Sequence, residues 1–501
     1  MKSYRPWSPT QSFLLPPSPL EWLPEGHLAY FVLEVTQTLD LSAIDDAIQA
    51  KDGRGERPYA PSMMVALLVY GYCVGVFSSR RLARATYEDV AFRVLAGGEH
   101  PHFTTVNQFR LEHRAALANL FVQALRLCQK AGLVKLGHVA FDGSKVAANA
   151  SKHKAMSYKR MQEDEQRLLA EVEALLAKAD ATDRREDEQF GVGQAPEDLP
   201  EELQRREARL SRIQEAKAAL EKEATEARAE ELHEQAQAHR EKAADERVEV
   251  AERQRAATRA EKAEEKAREL DGKGSDDDGP EGGSATGDLP HHRVPAETDG
   301  SPKPKAQRNF TDPDSRIMVK GGEFLQGYNA QAAVDAESQI IVAAAVTNQP
   351  PDQEHLAPML GQVIANCGEA PAVVSADSGY FSRENVEDCA MRGVDPYIAV
   401  GRDPAKAPAA NQNPTPAQQA RAAMGAKLKT AEGKAIYARR KCIVEPTFGQ
   451  IKQARGFRRF SFRGLENVRA EWSFVCATHN LLKLFRRGFR PLPAAAGCAA
   501  A

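Results

Sequence analysis

The sequence predicts an α/β core behind an all-α N-terminal domain, with a charged helical insertion interrupting the core. Three observations carry this expectation. Apolar stretches of helical period dominate residues 1–135. From residue 136 onward, short apolar strands alternate with helices once one block is set aside. Within that block, residues 161–270 hold 31 acidic and 20 basic residues, and Phe190 is their only aromatic. Such a composition cannot bury a globular core. The expected layout is therefore helical over 1–135, a first strand over 136–155, an insertion over 156–308, the rest of the core over 309–490, and a disordered tail over 491–501.

Residues 1–60 are rich in Pro and turn signals, with one apolar helical segment from Leu28 to Leu39. Pro61 and Ser62 signal the start of a second helix, MMVALLVYGYCVGVF, whose all-round apolar character suits the centre of a small bundle. Two amphipathic helices follow, SSRRLARATYEDVAFRVLAG and TTVNQFRLEHRAALANLFVQALRLCQKAG, the latter capped by Thr104 or Thr105 and ended by Gly132. Their exposed arginines, Arg80, Arg81, Arg84, Arg110 and Arg114, suit either a solvated face or a DNA-contacting module.

GHVAFDGSKVA (137–147) reads as a short strand ending at Asp142 and Gly143. In the insertion, Leu203, Leu210 and Lys217 share one heptad position, and EDLP (197–200) breaks the chain between two helices. A helical hairpin or short coiled coil results. Residues 221–268 read as a solvated single helix or disordered chain, and 271–308 as a linker. Beyond Asn309, EFLQGYNAQAAVDA and SQIIVAAAVTN read as strands joined by a turn at Ala336–Ser338. A helix (DQEHLAPMLGQVIANCG), a buried strand (PAVVSADSGYF), a helix (SRENVEDCAMRG) and a strand (DPYIAVGR) follow. Residues 403–433 read as a loop, and IVEPTFGQIKQARG and ENVRAEWSFVCATHNLLKLFRR as the closing helices.

The chain carries 67 Lys/Arg and 70 Asp/Glu, a net charge of −3, yet outside the block basic residues exceed acidic ones by 47 to 39. The compact part is basic and compatible with a nucleic-acid partner. The longest apolar run, Met63 to Phe77, is too short for a membrane span, and the first residues contain no apolar stretch of signal-peptide type. Cysteines 73, 128, 367, 389, 442, 476 and 498 form no CxxC pair, which argues against a disulfide framework or zinc knuckle and fits a reducing cytoplasm. His291 and His292 sit in the linker composition and read as linker residues.

Three acidic residues carry the chemistry. Asp142 and Asp377 each end a strand with glycine close behind, so their carboxylates can point into an open site. Glu445 precedes Pro446, which suits a helix N-terminus, where the dipole favours its charge. Convergent carboxylates repel unless cations lie between them, and hard oxygen ligands suit Mg²⁺ or Mn²⁺. Two such ions activate an attacking hydroxyl and stabilise the leaving oxygen of a phosphodiester. Independently, Tyr437–Arg490 holds 13 Lys/Arg against three Glu. There Phe457, Phe460 and Phe462 interleave with Arg455, Arg458, Arg459 and Arg463, a pattern suited to phosphates and unpaired bases. Lys452 lies two helical turns beyond Glu445, on the same face.

These residues resemble bacterial insertion-sequence transposases of the DDE class, in the insertion-sequence-4 superfamily and its insertion-sequence-1182-like group. The resemblance rests on DGSKVAANAS (142–151), ADSGY (376–380) and VEPTFGQIKQARGFRRF (444–460), supported by RPYAPSMMVALLVYGYCVG and by GEFLQGYNAQAAVD. It implies an RNase H-like catalytic core, Asp142, Asp377 and Glu445 as catalytic metal ligands for two Mg²⁺ or Mn²⁺ ions, and Lys452 on a transposon-end phosphate. Arg440 and Lys441 fall at the basic position of the related Tyr/Arg signature; four residues separate Arg440 from Glu445 where the pattern has three. The implied reaction is cleavage at terminal inverted repeats and joining of the 3′-hydroxyls to target DNA. It takes place in the cytoplasm, on the nucleoid, by a homodimer or larger assembly. A nuclease that cuts without joining, and a non-catalytic DNA-binding scaffold from a decayed element, are the alternatives.

Overall fold

The computed structural model describes residues 18, 21–51, 57–190, 201–245, 248–274, 289–401 and 415–489, side chains within 178–190, 201–202 and 272–274 excepted. The expected tail, the break at 197–200 and residues 403–414 lie outside or almost wholly outside this set; of the expected loop, only 415–433 is described.

The N-terminal helices are α1 (Leu28–Thr38), α2 (Ser42–Gln49), α3 (Pro61–Val74), α4 (Ser79–Glu88), α5 (Val90–Leu95), α6 (Phe103–Glu112) and α7 (Arg114–Lys130). α3 begins at Pro61 and is buried from Met64 to Cys73, because a helix apolar on every side has no face for water. The two long helices expected next are each divided. Asp89 breaks the first, its carboxylate accepting from the Ala91 and Phe92 N–H groups at the start of α5. The second breaks at His113, and its cap is His102 rather than Thr104 or Thr105. α2 lies where only turns were expected.

β1 (His138–Ala147) leads into the insertion: β2 (Ala155–Ser157), α8 (Tyr158–Phe190), α9 (Glu201–Ala244), α10 (Val250–Gly274) and β3 (Gln307–Asn309). β2 and β3 pair antiparallel, so the insertion leaves and re-enters the core through one narrow neck. Met161 and Leu168 of α8 pack with Leu210, Ile213 and Leu220 of α9, as the heptad spacing predicts, and Lys217 pairs with Glu165 at 2.8 Å. The expectation for 221–268 is overturned. α9 runs on to Ala244 and pairs with α10 through Ala229, Leu232, Ala236, Ala263, Ala267 and Leu270. Small residues suffice because two helices at close approach bury alanine faces that neither could bury alone. The linker expected over 271–308 is also structured from 289, with Leu289, Val294 and Ala306 buried. Excising residues 237–262 and closing the arm with a short Gly/Ser turn is expected to leave the core's melting temperature unchanged. A fall above about 4 °C in calorimetry would show the arm tied to the core.

The core continues with β4 (Arg316–Lys320), β5 (Glu323–Asp335), β6 (Ile341–Thr347), α11 (Leu356–Cys367), β7 (Val373–Ala376), α12 (Arg383–Met391) and β8 (Asp395–Ile398). β4 was not expected. The six strands form one sheet in which β5 pairs with β4 and β6 on one side and with β1 on the other, followed by β7 and β8. β1, β7 and β8 are parallel, and the remaining pairs are antiparallel. The expected loop is replaced by α13 (Pro416–Lys429), opened by a Thr415/Gln418 capping box, and by α14 (Ala431–Gly449), which ends in a π turn over Gln450–Ala454.

α15 (Leu465–Arg486) is the keel, lying between α3 and α7 on one side and β6 on the other. Trp472 is fully buried and donates to the Gln331 carbonyl at 2.9 Å, while the Asn480 amide exchanges two hydrogen bonds with Ile341 on β6. One apolar core thus runs from the N-terminal helices into the sheet. His479 on α15 is fully buried; burial first, then the Arg455 charge, pushes it down to about 3. Its unfolded form still titrates near 6.5, so the unfolded chain binds more protons between those values and stability drops as pH falls through that window. The expected loss is about 1.4 kcal/mol per pH unit below 6.5. Melting temperatures from about pH 7 to pH 5 should therefore fall, and less steeply in His479→Gln.

Candidate active site

The first aspartate does not end its strand. β1 continues through Asp142 to Ala147, paired with β5 from Asp142↔Ala332 to Ala147↔Gly327. The opening arises on the other edge. β1 pairs with β7 only as far as Ala140↔Ser375, and β7 ends at Ala376. Two residues on in each chain, Asp142 and Asp377 stand at equal height on adjacent parallel strands. With a side-chain period of two, they share a face. The Asp377 carboxylate accepts from the Gly379 N–H at 2.9 Å, holding the turn that carries the chain away.

Burial is the largest influence on Asp142 and pushes it up to about 6; Arg440 opposes this, while Asp377 and Asp352 add to it. The Arg440 guanidinium is the counter-charge, 3.7 Å from the carboxylate, and its Nε and Nη1 have no hydrogen-bond partner. A buried carboxylate beside two others, with Arg440 loosely placed and Lys145 engaged by Asp352, fits a hard divalent ion. Asp142 and Asp377 are the donors the fold brings together. Among the described residues, no group of three or more His, Cys, Asp or Glu side chains has metal-holding geometry.

Glu445 is not at a helix N-terminus. It lies well inside α14, exposed, with Pro446 in the helix interior. Pro446 lacks the N–H that would bond the Cys442 carbonyl, and the Gln339 side chain supplies a donor there at 2.9 Å. This substitution lets the helix run through a proline that the sequence alone marks as a start. α14 nevertheless lies along β1: Arg440 faces Asp142, and Lys452, in the π turn, donates to Ser144 Oγ and to the Lys145 carbonyl at 3.1 Å. Glu445 stands between these two contacts in sequence.

The basic residues divide. Arg440 is buried against Asp142, while Lys441 is exposed and faces away. Arg455 is buried and donates to Thr478 Oγ1 and the Val475 carbonyl, fastening α15, so the expected DNA contact is corrected to a structural one. Phe457 and Phe460 are core side chains, and Phe462 packs under the Arg110 guanidinium; none is an exposed stacking platform. Arg458, Arg459 and Arg463 are exposed. Burial and the neighbouring Lys320 charge push Lys452 down to about 7.

Asp352 escaped the sequence reading. It sits before α11, where an Asp reads as a helix cap, yet its side chain makes no cap bond. Instead it accepts from Asn329 and Gln331 at 2.7 Å each and from Lys145 at 3.3 Å. Burial opposes ionisation there, but the His355 imidazole 3.7 Å away, the Lys145 charge and the two amide hydrogen bonds hold it down to about 2. A Cβ at Gly143 would stand 2.4 Å from Gln331 Nε2 and 2.8 Å from Asp352 Oδ1, so a larger residue there would have to displace this hydrogen-bond network. The available signal was the pair Asn329 and Gln331, two amides on the buried face of an apolar strand, which need a polar partner.

Residues 293–481 match the family model described as Transposase DDE domain, and residues 18–112 match that described as Transposase domain (DUF772). Asp377, Glu445 and Lys452 fall within the first match, and Asp142 lies between the two. No curated protein and no solved structure matches the chain. Both matches are to models of transposase domains, which supports a DNA-processing enzyme.

Proposed function

We propose that this protein is the transposase of a bacterial insertion sequence of the insertion-sequence-4 superfamily, 1182-like group. In this reading it binds the element's terminal inverted repeats, cleaves the DNA there, and joins the 3′-hydroxyl ends to target DNA. The observation that carries the reading is the placement of Asp142 and Asp377 at equal height where β7 turns away from β1. The mixed sheet, with its two carboxylates level where the parallel pairing of β1 and β7 stops, supports an RNase H-like core. The expected helical, core and insertion boundaries are part of the same proposal.

Asp142, Asp377 and Glu445 would hold two Mg²⁺ or Mn²⁺ ions, which when bound supply Lewis-acid polarisation of the phosphodiester and a stronger attacking oxygen. Lys452, its ammonium fixed by Ser144 and the Lys145 carbonyl, is placed to hold a phosphate beside Asp142. Arg440 supplies a second cation next to the same carboxylate. Exposed Arg458, Arg459 and Arg463 extend the positive surface along the DNA backbone. Cleavage and joining are both in-line phosphoryl displacements, so one site performs both. The work is done on nucleoid DNA in the cytoplasm by a homodimer or larger assembly.

The test is a labelled duplex carrying the DNA that flanks the gene, incubated with Mg²⁺ or Mn²⁺ and a plasmid target. Wild type is expected to nick at the element boundary and yield joined products, and Asp142→Asn to yield neither. Cutting without joining would reassign the chain as a nuclease. Metal-independent binding without cutting would reassign it as a scaffold.

A further inference from the structure

The exposed aromatic that the basic C-terminal stretch does not provide is found elsewhere. β4 and β5 form a two-residue hairpin closed by Gly321 and Gly322, with Lys320 opposite Glu323 and Val319 opposite Phe324. Both glycines have positive φ (58° and 85°), as a type I′ turn demands, and a Cβ at either would meet nothing within 4 Å. The tip thus stands in open space. Val319 and Phe324 are 57% and 64% exposed, a cross-strand apolar pair left largely to solvent.

The hairpin's other face turns toward the site. Met318, two residues before Lys320, is buried, and the Lys320 ammonium comes within hydrogen-bonding reach of the Lys452 ammonium. Lys452 is itself anchored on Ser144, two residues from Asp142. Two ammonium groups side by side are unfavourable unless an anion lies between them. Among the described residues neither Lys320 nor Lys452 is in an ion pair, although Glu323 lies across the hairpin from Lys320 and the Asp142 charge acts on Lys452, while Lys145 is engaged with Asp352 and the Pro350 carbonyl. A phosphate from outside would supply the closer counter-charge to both ammonium groups, next to the carboxylates of the site.

We propose that the β4–β5 hairpin is a DNA-contacting ribbon of the active site: Lys320 shares one backbone phosphate with Lys452, and the Val319–Phe324 pair lies against sugars and base edges in the adjoining groove. This rests on the proposed DNA-cleaving function. A two-stranded ribbon is narrow enough to enter a groove of duplex DNA, and apolar side chains there contact the nucleotide rather than the phosphate. The hairpin therefore separates two kinds of contact on its two faces, salt-sensitive and salt-insensitive.

That separation is the test. The full-length protein is titrated, without divalent metal, against a fluorescein-labelled duplex ending in the DNA that flanks the gene, over a series of salt concentrations. Lys320→Gln is expected to weaken binding about five- to tenfold and to lower the slope of log K against log salt by about one. The Lys320→Gln/Lys452→Gln double variant should lose less than the product of the single losses, because the two share one phosphate. Phe324→Ala should weaken binding about five- to tenfold with the slope unchanged. Lys320→Gln and Phe324→Ala should melt with wild type, since both side chains are exposed. Wild-type binding with an unaltered slope in Lys320→Gln overturns the hairpin assignment alone. Phe324→Ala that changes self-association in sedimentation but not DNA affinity also overturns it, making the pair a protein interface. Failure of wild type to bind any duplex overturns this proposal and the functional reading together.

Discussion

Asp377→Asn is expected to abolish metal-dependent strand cleavage while leaving DNA affinity within about twofold of wild type. Asparagine keeps the side-chain oxygen that accepts the Gly379 N–H, so the turn after β7 survives. What disappears is one negative charge of the pair formed with Asp142. A bound divalent ion stabilises a phosphoryl transition state by several kcal/mol, and losing that is a rate loss on the order of 10³-fold or more. DNA affinity comes mainly from cations on phosphates, which the substitution does not touch. Parallel fluorescence-anisotropy and gel-cleavage assays on one labelled duplex separate the two quantities. Cleavage by Asp377→Asn within about tenfold of wild type would remove Asp377 from the metal set.

The second large effect concerns stability. Glu471 and Arg110 are each 3% exposed and form a buried ion pair at 3.2 Å, with the Tyr72 hydroxyl donating to Glu471 at 3.1 Å. The other Glu471 oxygen accepts from Ser461 and Phe462 N–H groups, and Arg110 donates to the Phe77 carbonyl at 3.2 Å. One network thus ties α3, α6 and α15 to the loop before α15 that carries Arg458, Arg459 and Arg463. Glu471→Ala leaves Arg110 buried without its partner, which costs about 3–5 kcal/mol. The expected fall in melting temperature is on the order of 10 °C. Replacing both residues by apolar ones, Arg110→Met with Glu471→Leu, should recover much of that loss, because no unpaired charge remains. Calorimetry of the three variants checks this; a single variant melting with wild type would show the pair to be solvated.

Arg110 also shows how far the sequence could be read. Its position among exposed-looking arginines suited a solvated or DNA-facing helix, and nothing local announced a carboxylate 361 residues away. Arg455 misled in the same way, since a basic, aromatic-rich stretch has one composition whether its side chains point to DNA or into the core. Elements whose signals are local were legible: Pro61 at the start of α3, the alternating strands β5 and β6, the turn between them, and the helices on either side of β7. Elements settled by distant partners were not. Pro446 reads as a helix start until Gln339 is seen to satisfy the carbonyl that the proline leaves free.

The candidate site divides along the same line. The sequence by itself determined which chemistry was available: carboxylates at Asp142 and Asp377 beside glycines, a basic C-terminal region, and a charged helical insertion. Only the tertiary structure decided that β7 stops two residues short of covering Asp142, which sets the two aspartates level and opens the edge between them. Only the tertiary structure recruited Asp352 to that edge, set Arg440 against Asp142, and withdrew Arg455, Phe457 and Phe460 from it. The reason is physical. A residue's chemistry belongs to its side chain, but strand register, burial and charge pairing depend on chain segments hundreds of residues apart, and those set which side chains meet.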